Sequence, residues 1–347
     1  MFGMSQRFAA IAALVAFVIL VVGALLTGGN LGLAESPQRI SFQIATGSTE
    51  GIYFPVGQTM AGLISHPRGV GRCETATVCG PAGVILSART SGGAADNLRA
   101  INDGQVDSGL SQGDVVAAAV KGQGVFRRSG PAGHLRVITS LFAEDVHLVV
   151  AAQAKIRGVA DLRGKRVMLG NPGSGAGVTG RAVLTAWRLS ERSVRVVPAG
   201  AGNDAQLLRD GKLDAFFAVA GVPLDSVRAL LADGTARLVP IDGDGRDRLI
   251  RAVPQLAPAV IAANAYPGAP AVETVSTRAW WVTRDSEPEA LVYGITRALF
   301  NLANRGALTA SHPSVRNFGL AAATANAPAP LHPGAARFYR EAGILSK

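Results

Sequence analysis

A chain of 347 residues is long enough for two ordinary domains, each with its own core. A hydrophobic content of 48% against 17% charged residues excludes an intrinsically disordered protein. The net charge of +10 is scattered, its tightest cluster being Arg127-Arg128, and aromatic residues make up only 5%. This argues against a nucleic-acid stripe and leaves either a solvated basic surface or a field that draws anionic ligands or an acidic partner.

In chain order, Arg7 and the amino terminus precede Phe8 to Leu26, an uncharged apolar run of about 28 Å as a helix. That length lies between a secretory h-region and a membrane span. Gly32-Leu33-Ala34 offers small residues for cleavage before Glu35. Residues 1–34 are therefore expected to be a signal peptide, with an uncleaved inner-membrane anchor as the alternative. Both readings imply a periplasmic protein.

Arg39 to Ala45 alternates like a strand and delivers the small, hydroxylated turn Thr46-Gly47-Ser48-Thr49-Glu50-Gly51. A helical pattern follows from Tyr53 to about Ile64. Residues 66–82 read as an irregular insert carrying the only two cysteines, Cys73 and Cys79. In an oxidising compartment this pair is expected to form a small-loop disulfide. A zinc site is disfavoured, since zinc takes four ligands and only His66 lies near. A second strand, Val84 to Arg89, ends at Thr90-Ser91-Gly92-Gly93, which opens a helix from Ala94 to Asn102. The strand Ser108 to Ser111 follows. Gln112 and Asp114 then stand at a strand end where cleft residues belong, although Asp114 reads rather as a cap for a helix over Val115 to Val120.

The apolar strand Val146 to Val150 is expected to leave a first lobe and enter a second, and its His147 reads as a satisfied structural histidine rather than a ligand. The stretch Gly164 to Arg181 then gives a short strand, Arg166 to Gly170, a polar glycine-rich turn, Asn171 to Gly177, and a helix from Val178 to Leu189. A helix start leaves backbone N–H groups without partners at the positive end of the macrodipole, so this turn is a candidate anion cradle. Two other readings compete. Gly175, Gly177 and Gly180 spell a dinucleotide fingerprint, but no acidic residue follows where the ribose partner belongs. The glycines could also serve only close strand-to-helix packing.

Asp103-Gly104-Gln105-Val106-Asp107 and Asp210-Gly211-Lys212-Leu213-Asp214 repeat one pattern, each stopping a helix ahead of a strand. Two copies in equivalent context suggest two lobes built to one plan. The return crossing is expected over Val275 to Thr283, where Trp280-Trp281 would pack at the hinge and core. Ser286 and Glu289 read as a capping box for a helix that turns Leu291, Ile295 and Leu299 inward. Leu331-His332-Pro333-Gly334 opens a last helix, Ala335 to Ala342, stopped by Gly343. Strands alternating with helices imply parallel sheets with ligands at the strand ends.

Several of these pieces together resemble the extracytoplasmic solute receptors of TRAP transporters, of the TAXI type. They are Thr46 to Thr49 with Gly51, Tyr53 and Pro55; Gly92-Gly93 to Asn97-Leu98; Gln112 with Asp114-Val115; Val146 to Val150; Asp161 to Arg166; Pro172 to Gly175 with Thr179; Asp210-Gly211 to Phe217; and Leu331 to Gly334 with Tyr339. The resemblance covers about residue 40 to 347. It implies an α/β, type II periplasmic-binding-protein fold, with two lobes joined by two hinge crossings around a ligand cleft. Lobe I would hold 35–147 and 276–347, and lobe II 148–275. It also implies capture of a small anionic solute, an organic acid or acidic amino acid such as glutamate, glutamine or 2-oxoglutarate. A monomer would then deliver it to a sodium-coupled membrane permease. Two departures stand out: the cysteine-bearing insert is longer than expected, and Ala176 occupies a place where the family often carries Thr.

The candidate ligand-binding residues are Gly47, Ser48, Thr49, Tyr53, Ser91, Gln112, Pro172, Gly173, Ser174, Gly175, Thr179 and Gly221, with Tyr53 readable as core instead. No cofactor, metal or nucleic acid is expected. No HExxH or CxxC is present, and the proposed hydroxyl ligands have no nearby His in sequence to activate them, which argues against an enzyme. The competing functions are an NAD-dependent dehydrogenase, or a receptor of the same fold serving an ABC importer or a sensor kinase.

Overall fold

The computed structural model describes residues 39–67, 69–75, 78–171, 173–198 and 204–346, together with Val15. The signal-peptide reading and Pro172 therefore lie outside the described residues. Among those residues no helix is long and apolar enough to cross a membrane.

Alternation drives the first half. In β1 (Ile40–Ala45) Phe42 and Ile44 are buried, and the strand pairs in parallel with β2 (Val84–Arg89) and β3 (Ser108–Gln112). Parallel neighbours need crossovers. These are α1 (Tyr53–Ile64), with the short α2 (Gly71–Thr75) behind it, and α3 (Ala94–Asn102). A further helix, α4 (Gly113–Val120), leaves the end of β3. The expected insert holds the Cys73–Cys79 disulfide, with Sγ atoms 2.08 Å apart.

Two long strands tie the molecule together. β4 (Leu135–Ala151) and β10 (Val272–Arg284) run antiparallel, from Leu135 opposite Arg284 to Asp145 opposite Ser276. β10 also borders β3 on its other side. Beyond Asp145, β4 pairs instead with β7 (Ala215–Ala220) and β8 (Ala236–Val239), while the start of β10 pairs with β9 (Ala257–Ile261). The second half continues from β7 to β5 (Arg166–Met168) and β6 (Arg195–Val196), again in parallel. Its helices include α5 (Gly175–Ala186), α6 (Asp204–Arg209), α7 (Asp225–Ala232) and α8 (Gly243–Ala252). One sheet thus runs β2-β1-β3-β10-β4-β7-β5-β6, parallel at both ends and antiparallel where the two long strands cross.

The repeated Asp-Gly pattern has a physical counterpart. Gly104 and Gly211 both take positive φ, 71° and 64°, which glycine adopts at no steric penalty. Three residues on, the Asp107 carboxylate accepts the backbone N–H of Gln43 in β1, and the Asp214 carboxylate accepts that of Arg166 in β5, each at 2.7 Å. In each half, therefore, the same aspartate pins the first strand beside the strand it precedes.

The C-terminal helices α9 (Glu289–Leu299), α10 (Leu302–Ala310) and α11 (Pro333–Glu341) pack on the first half, with Leu291, Ile295 and Leu299 buried. The expected capping box at Ser286 is not formed: α9 starts at Glu289 behind Pro288, with no side-chain cap. Proline drives the residue before it out of the helical region, so Glu287 does not open the helix. At α11 the capping side chain is His332, whose ring accepts the N–H of Gly334. Helix α5 begins three residues earlier than the glycines suggest, because Ser174 caps it by accepting the Gly177 N–H at 3.1 Å.

Candidate functional site

The carboxyl ends of the parallel strands face one cavity of about 550 Å³. Thr46, Gly47 and Ser48 enter it from the end of β1, Tyr53 from α1, and Gln112 from the end of β3. From the second half come Gly170 and Asn171 after β5, Ser174 to Ala176 at the start of α5, and the apolar run Phe216 to Ala220 of β7. Asn97 holds the first wall in place: its buried amide donates to the carbonyls of Ala45, Thr46 and Leu110.

The predicted residues divide. Gly47, Ser48, Tyr53, Gln112, Ser174 and Gly175 line the cavity; Thr49, Ser91, Gly173, Thr179 and Gly221 do not. Ser91 instead caps its own turn, accepting the Gly93 N–H at 3.1 Å. Gly221 lies against Ser314 and Ile52. The Ser174 hydroxyl is engaged locally, donating to the Asn171 carbonyl at 2.7 Å while it caps α5. What this corner offers a ligand is its backbone, at a helix start.

Gly173 and Thr179 join the halves. The Gly173 carbonyl accepts the N–H groups of Ala95 and Asp96 at the start of α3, at 2.9 and 3.3 Å. Gly93, at φ 114°, makes that approach possible, since a Cβ there would stand 3.1 Å from the Ser174 Cα. Thr179 is buried and donates to the Asp114 carboxylate at 2.6 Å. Asp114 lies in the first turn of α4, and its carboxylate faces the other half. Burial pushes its carboxyl above the usual range, and the Thr179 hydrogen bond pulls it back.

Sequence reasoning missed the acidic side chains of the cavity. Glu50, Glu144 and Asp204 all line it, whereas among the described residues no Lys, Arg or His does. Glu144 is 2% exposed and accepts the Tyr53 hydroxyl at 2.7 Å. Burial holds its carboxyl well above the ordinary carboxylate range, opposed by the Tyr53 hydrogen bond. Burial, with Glu50 nearby, raises Asp204 as well. A signal for Glu144 existed: Glu144-Asp145 follows the apolar run Leu141 to Ala143 and precedes Leu148 to Ala151, and a charge is not buried without a reason.

His147 is structural. It is fully buried, with Nδ1 2.9 Å from the Asp145 carbonyl and Nε2 2.8 Å from the Tyr266 hydroxyl, and burial lowers its pKa to about 4. Trp280 and Trp281 are buried beside the crossing, the Trp281 indole donating to Ser108 Oγ at 3.0 Å. The glycine fingerprint is not a phosphate turn, because Gly175, Gly177 and Gly180 all lie within α5 and Gly180 packs on Phe217. Among the described residues no group of His, Cys, Asp and Glu could hold a metal ion.

The architecture is a mixed α/β fold, one sheet of parallel and antiparallel strands with helices packed on it. The model of the NMT1-like family matches residues 44–343, and the chain belongs to that family. Among solved structures it is similar to the alkanesulfonate-binding protein SsuA from Xanthomonas axonopodis pv. citri bound to MOPS, at 17% identity and TM-score 0.44, covering 90% of this chain and 96% of that one. It is also similar to the periplasmic aliphatic sulphonate binding protein SsuA from Escherichia coli, at 14% identity and TM-score 0.41, covering 80% and 75%. A putative L-cystine ABC transporter protein from Listeria monocytogenes matches at 11% identity and TM-score 0.47, covering 80% and 97%.

Proposed function

We propose that this chain is an exported solute-binding receptor, which closes its two halves on a small organic acid or amino acid and presents it to a membrane importer. The observation that carries the reading is the cavity itself: Gly47-Ser48 of one half and Ser174-Gly175 of the other face the same space. A carboxylate in that space would be met by backbone N–H groups and the Ser48 hydroxyl, since among the described residues no cation lines it. The apolar stretch Phe216 to Ala220 would cover the remainder of a small ligand. The halves, divided at 147/148 and 275/276, would move about β4 and β10 as ligand favours the shut form.

The importer is read as a sodium-coupled TRAP permease of the TAXI type, on the ordered motifs from Thr46 to Tyr339. An ABC importer is the second reading for the same fold. A permease gene of one kind or the other beside this one separates them.

Thermal melts test the receptor reading. Glutamate, glutamine or another member of a panel of small acids and amino acids is expected to raise Tm in proportion to the logarithm of its concentration. A shift of several degrees with NAD, and none with any member of the panel, would instead favour the dehydrogenase.

A further inference from the structure

The acids of the cavity are out of keeping with a ligand that is only an anion. The chain carries 34 Lys and Arg against 24 Asp and Glu, yet among the described residues every charged one lining this space is acidic. Glu144 matters most, because it is almost wholly removed from solvent and, among the described residues, its single side-chain donor is the Tyr53 phenol. No Lys, Arg or His of the described residues forms an ion pair with it. A buried carboxylate without a cation is costly, and removing water from the cavity as a ligand enters makes it more so.

A second acceptor points the same way. Gln112 is 3% exposed, lines the cavity, and its Oε1 has no hydrogen-bond partner. Glu144 stands opposite Thr277 on one side of β10, and Gln112 opposite Ala279 on the other. Both therefore line the cavity from the two strands that flank β10. Glu144 and the Gln112 Oε1, the latter lying against Gly175, present acceptors and ask for donors. The wall at Ser174-Gly175, with its helix start, presents donors and asks for an acceptor.

We infer that the ligand carries a protonated amino nitrogen received by Glu144, with the Gln112 Oε1 accepting a further donor, so that the solute is an amino acid and not its oxo acid or a plain dicarboxylate. This rests on the receptor reading above and narrows it. Tyr53 is a positioning residue here: its hydroxyl orients the Glu144 carboxylate, and its ring is held edge-on to Phe142 at 6.2 Å.

Calorimetric titration of the full chain with matched pairs tests it: L-glutamate against 2-oxoglutarate, and L-leucine against 4-methyl-2-oxopentanoate. In at least one pair the amino member is expected to bind about thirtyfold more tightly than its oxo counterpart, the scale of a buried charge-assisted contact. Glu144→Gln is expected to weaken the amino member by about tenfold or more and to leave the oxo member within about threefold. An oxo acid that binds as well as its amino partner overturns the amine assignment and leaves the receptor reading standing. Equal losses for both members in Glu144→Gln do the same. No binding by any of the four compounds overturns the assignment, and if the wider panel also fails, the receptor reading falls with it. Should Glu144→Gln fail to fold, the wild-type ratio still decides the matter, and Tyr53→Phe, which removes one hydroxyl, is expected to narrow it.

Discussion

His147 and Glu144 lie three positions apart on one strand, and burial acts on them in opposite senses. It lowers the histidine to about 4 from its ordinary 6.5 and raises the glutamate. The neutral His147 therefore contributes stability that is fully present above pH 6.5 and is lost as pH falls toward 4, because the unfolded chain takes up the proton first. A shift of that size corresponds to about 3 kcal/mol. Denaturant melts of wild type and His147→Gln should accordingly converge between pH 7 and pH 4, the wild type losing stability more steeply. Parallel curves would mean that the imidazole is not held neutral. The glutamate works against this loss, since a raised carboxyl costs less as pH falls, so the comparison with the variant isolates the histidine. Residues of this kind were partly legible in the sequence. Gln112 was placed by its strand end, Tyr53 by a helix start, Gly175 by a glycine-rich turn, and His147 by its apolar strand. Glu144 was not read as a cavity residue, since only the pairing of β4 with β10 turns its side chain toward the cavity.

Among the elements, the helix starts organise the site and also hold the halves together. Helix α3 gives two backbone donors to the Gly173 carbonyl, and α5 gives the Thr179 hydroxyl to Asp114. Thr179→Val removes the latter donor at nearly constant volume and leaves a buried carboxylate without it. Ligand affinity measured by calorimetry should fall by about tenfold, in keeping with a hydrogen bond to a charged group. An unchanged affinity would mean that this contact does not distinguish the shut form from the open one. Periodicity located the helices and strands on which these groups sit, α1 over Tyr53–Ile64 and β2 over Val84–Arg89 among them. It misplaced the starts where side chains and proline decide: Ser174 draws α5 back to Gly175, and Pro288 delays α9 to Glu289. The extension of β4 back to Leu135 also escaped it, since only the ladder with β10 defines that strand's length.

For the molecule as a whole, a single sheet serves two halves, each beginning with a strand pinned by an aspartate and each ending its parallel strands at the same cavity. The repeated Asp-Gly pattern made the two-part plan visible in the sequence, whereas the acidic character of the shared space was hidden, because its three acids come from separate segments, at Glu50, Glu144 and Asp204. A basic exterior around an acidic cavity suits a receptor whose long-range field and whose grip on its ligand are set by different residues. The most direct measurement is a crystal structure of the protein grown with the tightest-binding member of the solute panel. The account predicts that molecule in the cavity, between Gly47-Ser48 and Ser174-Gly175, with both halves touching it. The same molecule bound on an outer surface, with the cavity filled by water alone, would contradict it.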